Sequence, residues 1–382
     1  MQFSDILGQD SIKNYLIKNA LSGRISHAQL FIGQEGCGSL AMAIAYAQFI
    51  LCNNVGAENS GGNESCNLKF SSLAHPDLHF IYPNVTNEDI KKNPKSADFL
   101  GDWRDFVNQN PYGNLIDWYK HLGAQNKQGI IRVEDAEDIL KSMLLKSFEG
   151  GYKIMIIWMA EKMNHEAANK ILKLLEEPPE KTLFILITEN EEELLPTIRS
   201  RCQITHFARL PDQIISKALQ LNYFLDEHSA TSVALQSQGN YNKAIHFVKN
   251  NSDDDEYEKW FVAWVRTAFV AKKNASSIRE LILWSETIAG IGREGQKQFL
   301  NYCINMFRQA LLYNYSTEKL IYLATKVDNF TLEKFAPFVN GNNIKEIFES
   351  LSSAIYHIER NGNAKIILTD LSIKLTRLIH KN

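Results

Sequence analysis

The run Lys153-Ile154-Met155-Ile156-Ile157-Trp158-Met159 is apolar almost without interruption. A strand with one face in water alternates apolar and polar residues, because successive side chains point to opposite faces. An unbroken apolar run marks instead a strand covered on both faces, the environment of a parallel sheet flanked by helices. Residues 28–32 and 183–188 read the same way, and residues 78–82 supply a further strand. Within 164–177, Ala167, Ala168, Ile171, Leu172, Leu174 and Leu175 follow helical spacing, and Pro178-Pro179 ends the pattern. From residue 1 to about 208 the chain is therefore expected to be α/β, a parallel sheet built from βαβ units. After Pro211 apolar residues recur every three or four positions, and helices are expected to the end. The acidic cluster at 253–256 marks a junction between a small helical unit and a larger one; its plainer reading is a solvated helix start.

Two stretches interrupt the α/β pattern. Residues 53–74, rich in Asn, Gly and Ser, suit an exposed loop. Residues 84–128 mix polar residues with Trp103, Phe106, Tyr112, Trp118 and Tyr119. They read as an insertion with a little helix, since a structureless loop of that length is uncommon in a compact domain. Its aromatics are expected to pack on a small core of their own, or else to form a surface for a partner.

The remaining composition excludes several classes. Forty-one basic and 44 acidic residues give a net charge of −3, so nothing announces a nucleic-acid binder, and any DNA contact is local or shared. No run approaches the roughly 18–20 apolar residues of a membrane span. The N-terminus lacks the basic flank and apolar core of a signal peptide. Five cysteines, at 37, 52, 66, 202 and 303, show no disulfide framework, which predicts a reduced, cytoplasmic chain.

A strand followed by G-x-x-x-x-G-K-[ST] and a helix forms a phosphate loop. Its backbone N–H groups cradle phosphates, its Lys reaches the outer phosphates, and its Ser/Thr hydroxyl ligates Mg²⁺. Gly33 and Gly38 have this spacing, with Gly36 between them. Ser39 stands where the Lys belongs, uncharged and too short, and Leu40 offers no oxygen to a metal. A lost charge-assisted contact costs on the order of 1.5–3 kcal/mol. Glu35 adds a carboxylate to a loop that should attract anions. The frame is that of a nucleotide site with its chemistry removed, or simply a Gly-rich turn. Whether its N–H groups still hold phosphate, which needs no Lys, stays open.

The stretch from Asn164 through Leu174-Leu175-Glu176-Glu177-Pro178-Pro179, with Thr182 to Thr188 and Ser200-Arg201-Cys202, closely resembles the AAA+ clamp-loader subunits. His27-Ala28-Gln29-Leu30-Phe31-Ile32-Gly33, Ile131-Arg132-Val133-Glu134 and Gly150-Gly151-Tyr152-Lys153 are similar to the same family. The resemblance covers roughly residues 1–208. It implies an AAA+ RecA-like parallel-sheet domain over 1–208 with an insertion at about 84–128. A small helical lid domain (209–252) and an all-α C-terminal collar domain (253–382) would follow.

What is missing resembles the delta-prime subunits of the bacterial DNA polymerase III loader in particular. Aligned on Asn169, Met159 replaces the family's magnesium-binding Asp and Ala160 its catalytic Glu, and a shift of one residue does not restore the pair. Glu161 remains as a lone carboxylate expected to point elsewhere. The lid motif, a Gly followed three residues on by a nucleotide-touching Arg, resembles Gly239-Asn240-Tyr241-Asn242, with Asn242 in the Arg position. Arg201, by resemblance, is an arginine finger for a neighbour's ATP, a task suited to a permanently charged planar guanidinium. The plainer reading pairs it with an acidic residue, and Arg199 is the nearest alternative finger.

The resemblance thus implies no intrinsic ATPase activity and no cofactor. Its implied partners are the motor (gamma/tau) and delta subunits and, indirectly, the sliding clamp and primer-template DNA, with no membrane. Many relatives hold a structural zinc with four cysteines after the first helix; here only Cys52 and Cys66 remain, and a metal site is not expected. Two other functions stay open: an active AAA+ ATPase with a non-standard loop, and a stand-alone binding module.

Overall fold

The computed structural model describes the chain apart from residues 53–62, 88–89, 125–126, 149–150, 250–253, 273, 275, 316–326, 328 and 382. The polypeptide divides into two compact units, the first of residues 1–124 and 129–248, the second of residues 125–128 and 249–382.

The first unit is built on five parallel strands: β1 (Ala28–Gly33), β2 (Leu78–Ile81), β3 (Lys153–Ile157), β4 (Thr182–Thr188) and β5 (Gln203–Phe207). Their order is β2-β3-β4-β1-β5, with Leu30 opposite Leu186 and Ile204, and Met155 opposite Phe184. Both faces are covered, which is why the strands do not alternate. One face presents Ala28, Leu30, Ile32, Met155, Ile157, Phe184 and Leu186 to α6 (Val133–Leu144), α7 (His165–Glu176) and α8 (Pro196–Arg199). The other presents Phe31, Ile154, Ile156, Leu183, Ile185 and Ile187 to a larger layer. Its centre is α2 (Ser39–Cys52), buried over most of its circumference between the sheet, α1 (Asp10–Leu21) and α3 (Glu64–Ser71). Residues 203–207 alternate between exposed and covered positions, as an edge strand does, and so carry no unbroken apolar run.

The segment read as an insertion forms α4 (Leu100–Gln109) and α5 (Leu115–His121). Its aromatics do not make a separate core, contrary to expectation. Trp103 stacks on Tyr82, the residue just past β2, at 4.1 Å between ring centroids, and meets Trp118 edge-on at 5.3 Å and Trp158 at 5.1 Å. All four rings belong to the core beneath the sheet.

A second correction concerns the cysteines. Cys52, the last residue of α2, and Cys66 in α3 are joined as a disulfide, their Cα atoms 5.4 Å apart. The expectation of unpaired thiols fails here because α3 folds back along α2, a tertiary event that a 14-residue spacing does not announce. While bridged, neither sulfur is free to ligate zinc. Among the described residues no group of three or more His, Cys, Asp or Glu side chains could hold a metal ion.

Helices α9 (Asp212–Tyr223), α10 (Glu227–Ser237) and α11 (Tyr241–Val248) complete the first unit, adding Ile215, Leu219, Ala234 and Ala244 to the same core. The second unit contains α12 (Asp254–Ala271), α13 (Ser276–Ala289), α14 (Arg293–Asn314), α15 (Leu332–Phe335), α16 (Ile344–Glu359) and α17 (Ala364–Leu378). Of the acidic cluster, Asp253 lies outside the described residues and α12 begins at Asp254. Phe261, Trp264, Phe299, Phe307, Leu351 and Leu368 form this unit's own core. Trp264 stacks on Trp284 and donates its indole N–H to Ser372 Oγ at 2.9 Å. Among the described residues no helix is long and apolar enough to cross a membrane.

Candidate functional site

The Gly-rich loop runs from the end of β1 at Gly33 to the start of α2 at Ser39, the position of a phosphate loop. Gly36 and Gly38 have φ of 71° and 90°, a left-handed backbone that side chains disfavour. Both are also covered. A Cβ on Gly38 would lie 2.8 Å from Tyr112 Cε1, and one on Gly36 would lie 2.0 Å from Asn240 Oδ1. Tyr112 comes from the turn between α4 and α5, and its hydroxyl accepts the Leu7 N–H at 2.9 Å. Beside Glu35, Ser39, Trp158 and Met159 the cleft keeps about 20 Å³ of water-accessible space. That is room for about one water molecule, far too little for a triphosphate.

Four of the residues singled out in the sequence, Gly33, Gly36, Gly38 and Ser39, thus meet around one cleft, and Met159 joins them. Ala160 does not. β3 ends at Ile157, Met159 adopts φ of 53°, and the chain turns into a short 3-10 segment at Ala160. Trp158 and Met159 therefore face the loop, while Ala160 is buried against the opposite face of the sheet. Of the two positions aligned with the family's acidic pair, Met159 lines the cleft and Ala160 does not, and neither side chain carries an oxygen. Glu161 does not line the cleft; its Oε1 accepts the Glu189 N–H at 3.4 Å, and burial pushes its carboxyl above the ordinary range.

A polar network lies behind the loop. Asn114 donates to the Glu35 carboxylate, and its own Oδ1 accepts the Asp117 N–H at 2.8 Å as the cap of α5. Asp117 accepts from Asn242 Nδ2 at 2.7 Å and pairs with His246 Nε2 at 2.9 Å. Asn110 donates to Asn242 Oδ1 at 2.5 Å. Asn242 is completely buried. Burial raises the Glu35 carboxyl, and the charge of Asp117 adds to this against hydrogen bonds from Asn114 and Asn242. Burial also pushes Asp117 upward, but the hydrogen bond and charge of His246, with further hydrogen bonds, hold it below the usual range. The hydrogen bond to Asp117 raises His246 despite its burial.

These two shifts define a pH window. A raised folded-state pKa gives His246 a contribution that is complete below its unfolded value near 6.5 and is lost as pH rises through the folded value. The depressed Asp117 contributes above about pH 4 and loses its share on acidification. The stability difference between the wild type and His246→Gln, from urea midpoints, should therefore be largest near pH 5–6 and shrink toward pH 9. Lys120 and Glu35 also act on His246, in opposite directions. A difference independent of pH would remove the ion pair from the account.

Tyr112, Asn114, Asp117 and His246 were not among the sequence-derived site residues. Asn114 meets Glu35 across 79 residues and Asn242 meets Asp117 across 125, separations at which no local spacing carries a signal. The one available hint was the cluster of Asn and Asp between the insertion's aromatics.

Arg201 is placed elsewhere, between α8 and β5, and does not line the cleft. Its Nη2 pairs with Glu176 Oε1 at 2.5 Å, at the end of α7, and its Nη1 donates to the Thr197 carbonyl at 3.0 Å. The side chain is 36% exposed. A solvated pair of this kind is worth about 0–1 kcal/mol, so the guanidinium can leave Glu176 at little cost. Arg199 faces Glu191, 3.8 Å away, and donates to its carbonyl. The Cys202 thiol is pushed up to about 12 by burial, and burial also raises that of Cys37, which disfavours reactivity at both.

Fold and cleft together define an α/β protein built on a five-stranded parallel sheet and helical in its C-terminal part, whose Gly-rich loop is covered by its own side chains. Residues 8–211, more than half of the chain, match the family described as DNA polymerase III, delta subunit. The DNA polymerase III subunit delta' of Bacillus subtilis is 29% identical over 243 residues, 64% of this chain and 60% of that protein. The subunit delta' of Pseudomonas aeruginosa is 29% identical over 185 residues (48% and 44%), and the subunit tau/gamma of Haemophilus influenzae 26% over 249 residues (64% and 30%). The chain thus spans 60% or less of the length of these relatives. It belongs to the delta-prime clamp-loader family of DNA polymerase III.

Proposed function

We propose that the chain is an ATP-inert, delta-prime-type subunit of a DNA polymerase III clamp loader. It presents Arg201 as an arginine finger to a neighbouring ATPase subunit, and the assembly places a sliding clamp on primed DNA. One observation carries this reading: the phosphate loop keeps its Gly33–Gly38 frame, yet Tyr112 and Asn240 cover it and neither Ser39 nor Leu40 can replace the missing Lys and metal ligand. The relatives named delta' and tau/gamma support partners of the motor (gamma/tau) type, with a delta subunit completing the assembly. In this reading residues 209–252 act as a lid-like domain and residues 253–382 as the collar that joins the subunits.

The deciding experiment is equilibrium binding of labelled ATP with Mg²⁺ to the full chain, together with turnover by the chain alone. Neither binding at micromolar nucleotide nor hydrolysis is expected. Micromolar affinity with turnover would favour the active ATPase with a non-standard loop. Failure to co-elute with motor and delta subunits would leave a stand-alone binding module.

A further inference from the structure

The insertion reaches the Gly-rich loop with one group of side chains and α11 with another. On the loop side, Tyr112 lies against Gly38 and Asn114 holds Glu35. On the helix side, Tyr112 meets the Tyr241 ring edge-on at 5.0 Å, Asn110 and Asp117 bind Asn242, and Asp117 pairs with His246. Asn240 caps α11 by accepting the Lys243 N–H at 2.9 Å while its Oδ1 sits over Gly36, and the Tyr241 N–H donates to the Gly36 carbonyl at 3.3 Å. Loop and helix are thus joined through a third segment that fills the space between them.

We propose that residues 110–117 act as an internal ligand: Tyr112 occupies the cleft where a nucleotide would bridge loop and helix, Asn114 and Asp117 tie the segment to loop and helix from behind it, and the bridge so formed fixes the position of α11. The cleft's own chemistry favours such an occupant over an anion. Glu35 and Glu189 both line it, so a phosphate would meet two carboxylates and no lysine. An amide such as Asn114 can donate to Glu35 without bringing a charge. Asp117 lies farther back, where His246 supplies the matching positive partner. Asn242, with no water contact, bonds through its amide to Asp117 and Asn110 of the insertion as well as to Glu35, and the first two of these bonds exist only while the insertion is in place. The assignment deepens the ATP-inert reading, since the site is not merely lacking a lysine but already filled.

Hydrogen exchange on the full chain tests the bridge. In the wild type, amides of residues 241–248 should be protected, and Mg-ATP should change neither them nor those of 33–40. In Asp117→Ala the α11 amides and those of the loop should exchange at least about tenfold faster together, because the charge-assisted bonds to Asn242 and His246 are lost along with the bond to the Asn114 N–H that positions Asn114 on Glu35. Protection in β1, β4 and the helices after 254 should stay as in the wild type. Unchanged α11 exchange in this variant would overturn the proposal. Should the sheet lose protection as well, Asn242→Ala, which leaves α5 intact, takes its place with the same expected and overturning results. A change in the wild type on adding Mg-ATP would count against the ATP-inert reading instead, so the two failures are distinct.

Discussion

Arg201→Ala should slow ATP hydrolysis at the neighbouring subunit's site by a factor of about 10³ or more in a reconstituted loader, while the complex still assembles. The magnitude follows from what an arginine finger does: it meets charge spreading over the transferring phosphoryl oxygens, and supplying one in trans is worth about 10³–10⁵ in rate. The side chain is suited to the task because it is about a third exposed and its ties, to Glu176 and to the Thr197 carbonyl, are solvated. Single-turnover measurement at the affected site is the sensitive readout, with DNA-stimulated steady-state turnover expected to fall by less. Arg201→Lys should recover only part of the loss, since an ammonium keeps the charge but not the planar fork. An unaltered rate in Arg201→Ala would leave the residue as the partner of Glu176 and nothing more.

Trp103→Ala should destabilise the protein by about 3–5 kcal/mol, the usual cost of deleting a buried large aromatic. The indole is inaccessible and touches Tyr82, Phe106, Trp118 and Trp158, so its removal leaves a cavity bounded by rings from three parts of the chain. Neighbouring aromatics cannot collapse into that space without losing their own stacked and edge-on contacts. Urea unfolding followed by far-UV circular dichroism gives the number. A loss below about 1 kcal/mol would mean that α4 and α5 are stabilised apart from the sheet. The expected value makes the insertion part of the core, not an appendage to it.

The sheet was legible because its physics is local. Residues 153–157 and 183–188 are covered on both faces, and that state writes itself into an unbroken apolar run. β5 escaped because an edge strand half in water, with Ile204 41% exposed, has no such run. The loop was legible too, since Gly33, Gly36 and Gly38 each serve a backbone need. What covers the loop was not. Tyr112, Asn114 and Asp117 arrive from a segment some 75 residues later, and His246 from a further 130 beyond that. Their identities are ordinary for any polar insertion, and only the tertiary arrangement gives them a role. The same holds for Cys52 and Cys66, whose pairing depends on α3 returning along α2.

The filled cleft has a pharmacological consequence. Drug-sized molecules bind in cavities of about 300–1,000 Å³, and the loop here offers about 20 Å³. A compound that competes with nucleotide would therefore find no foothold on this chain unless Tyr112 were first displaced, and displacing it exposes the Leu7 N–H and the Tyr241 ring. Screens that seek inhibitors at such loops would discriminate against this protein for steric reasons alone.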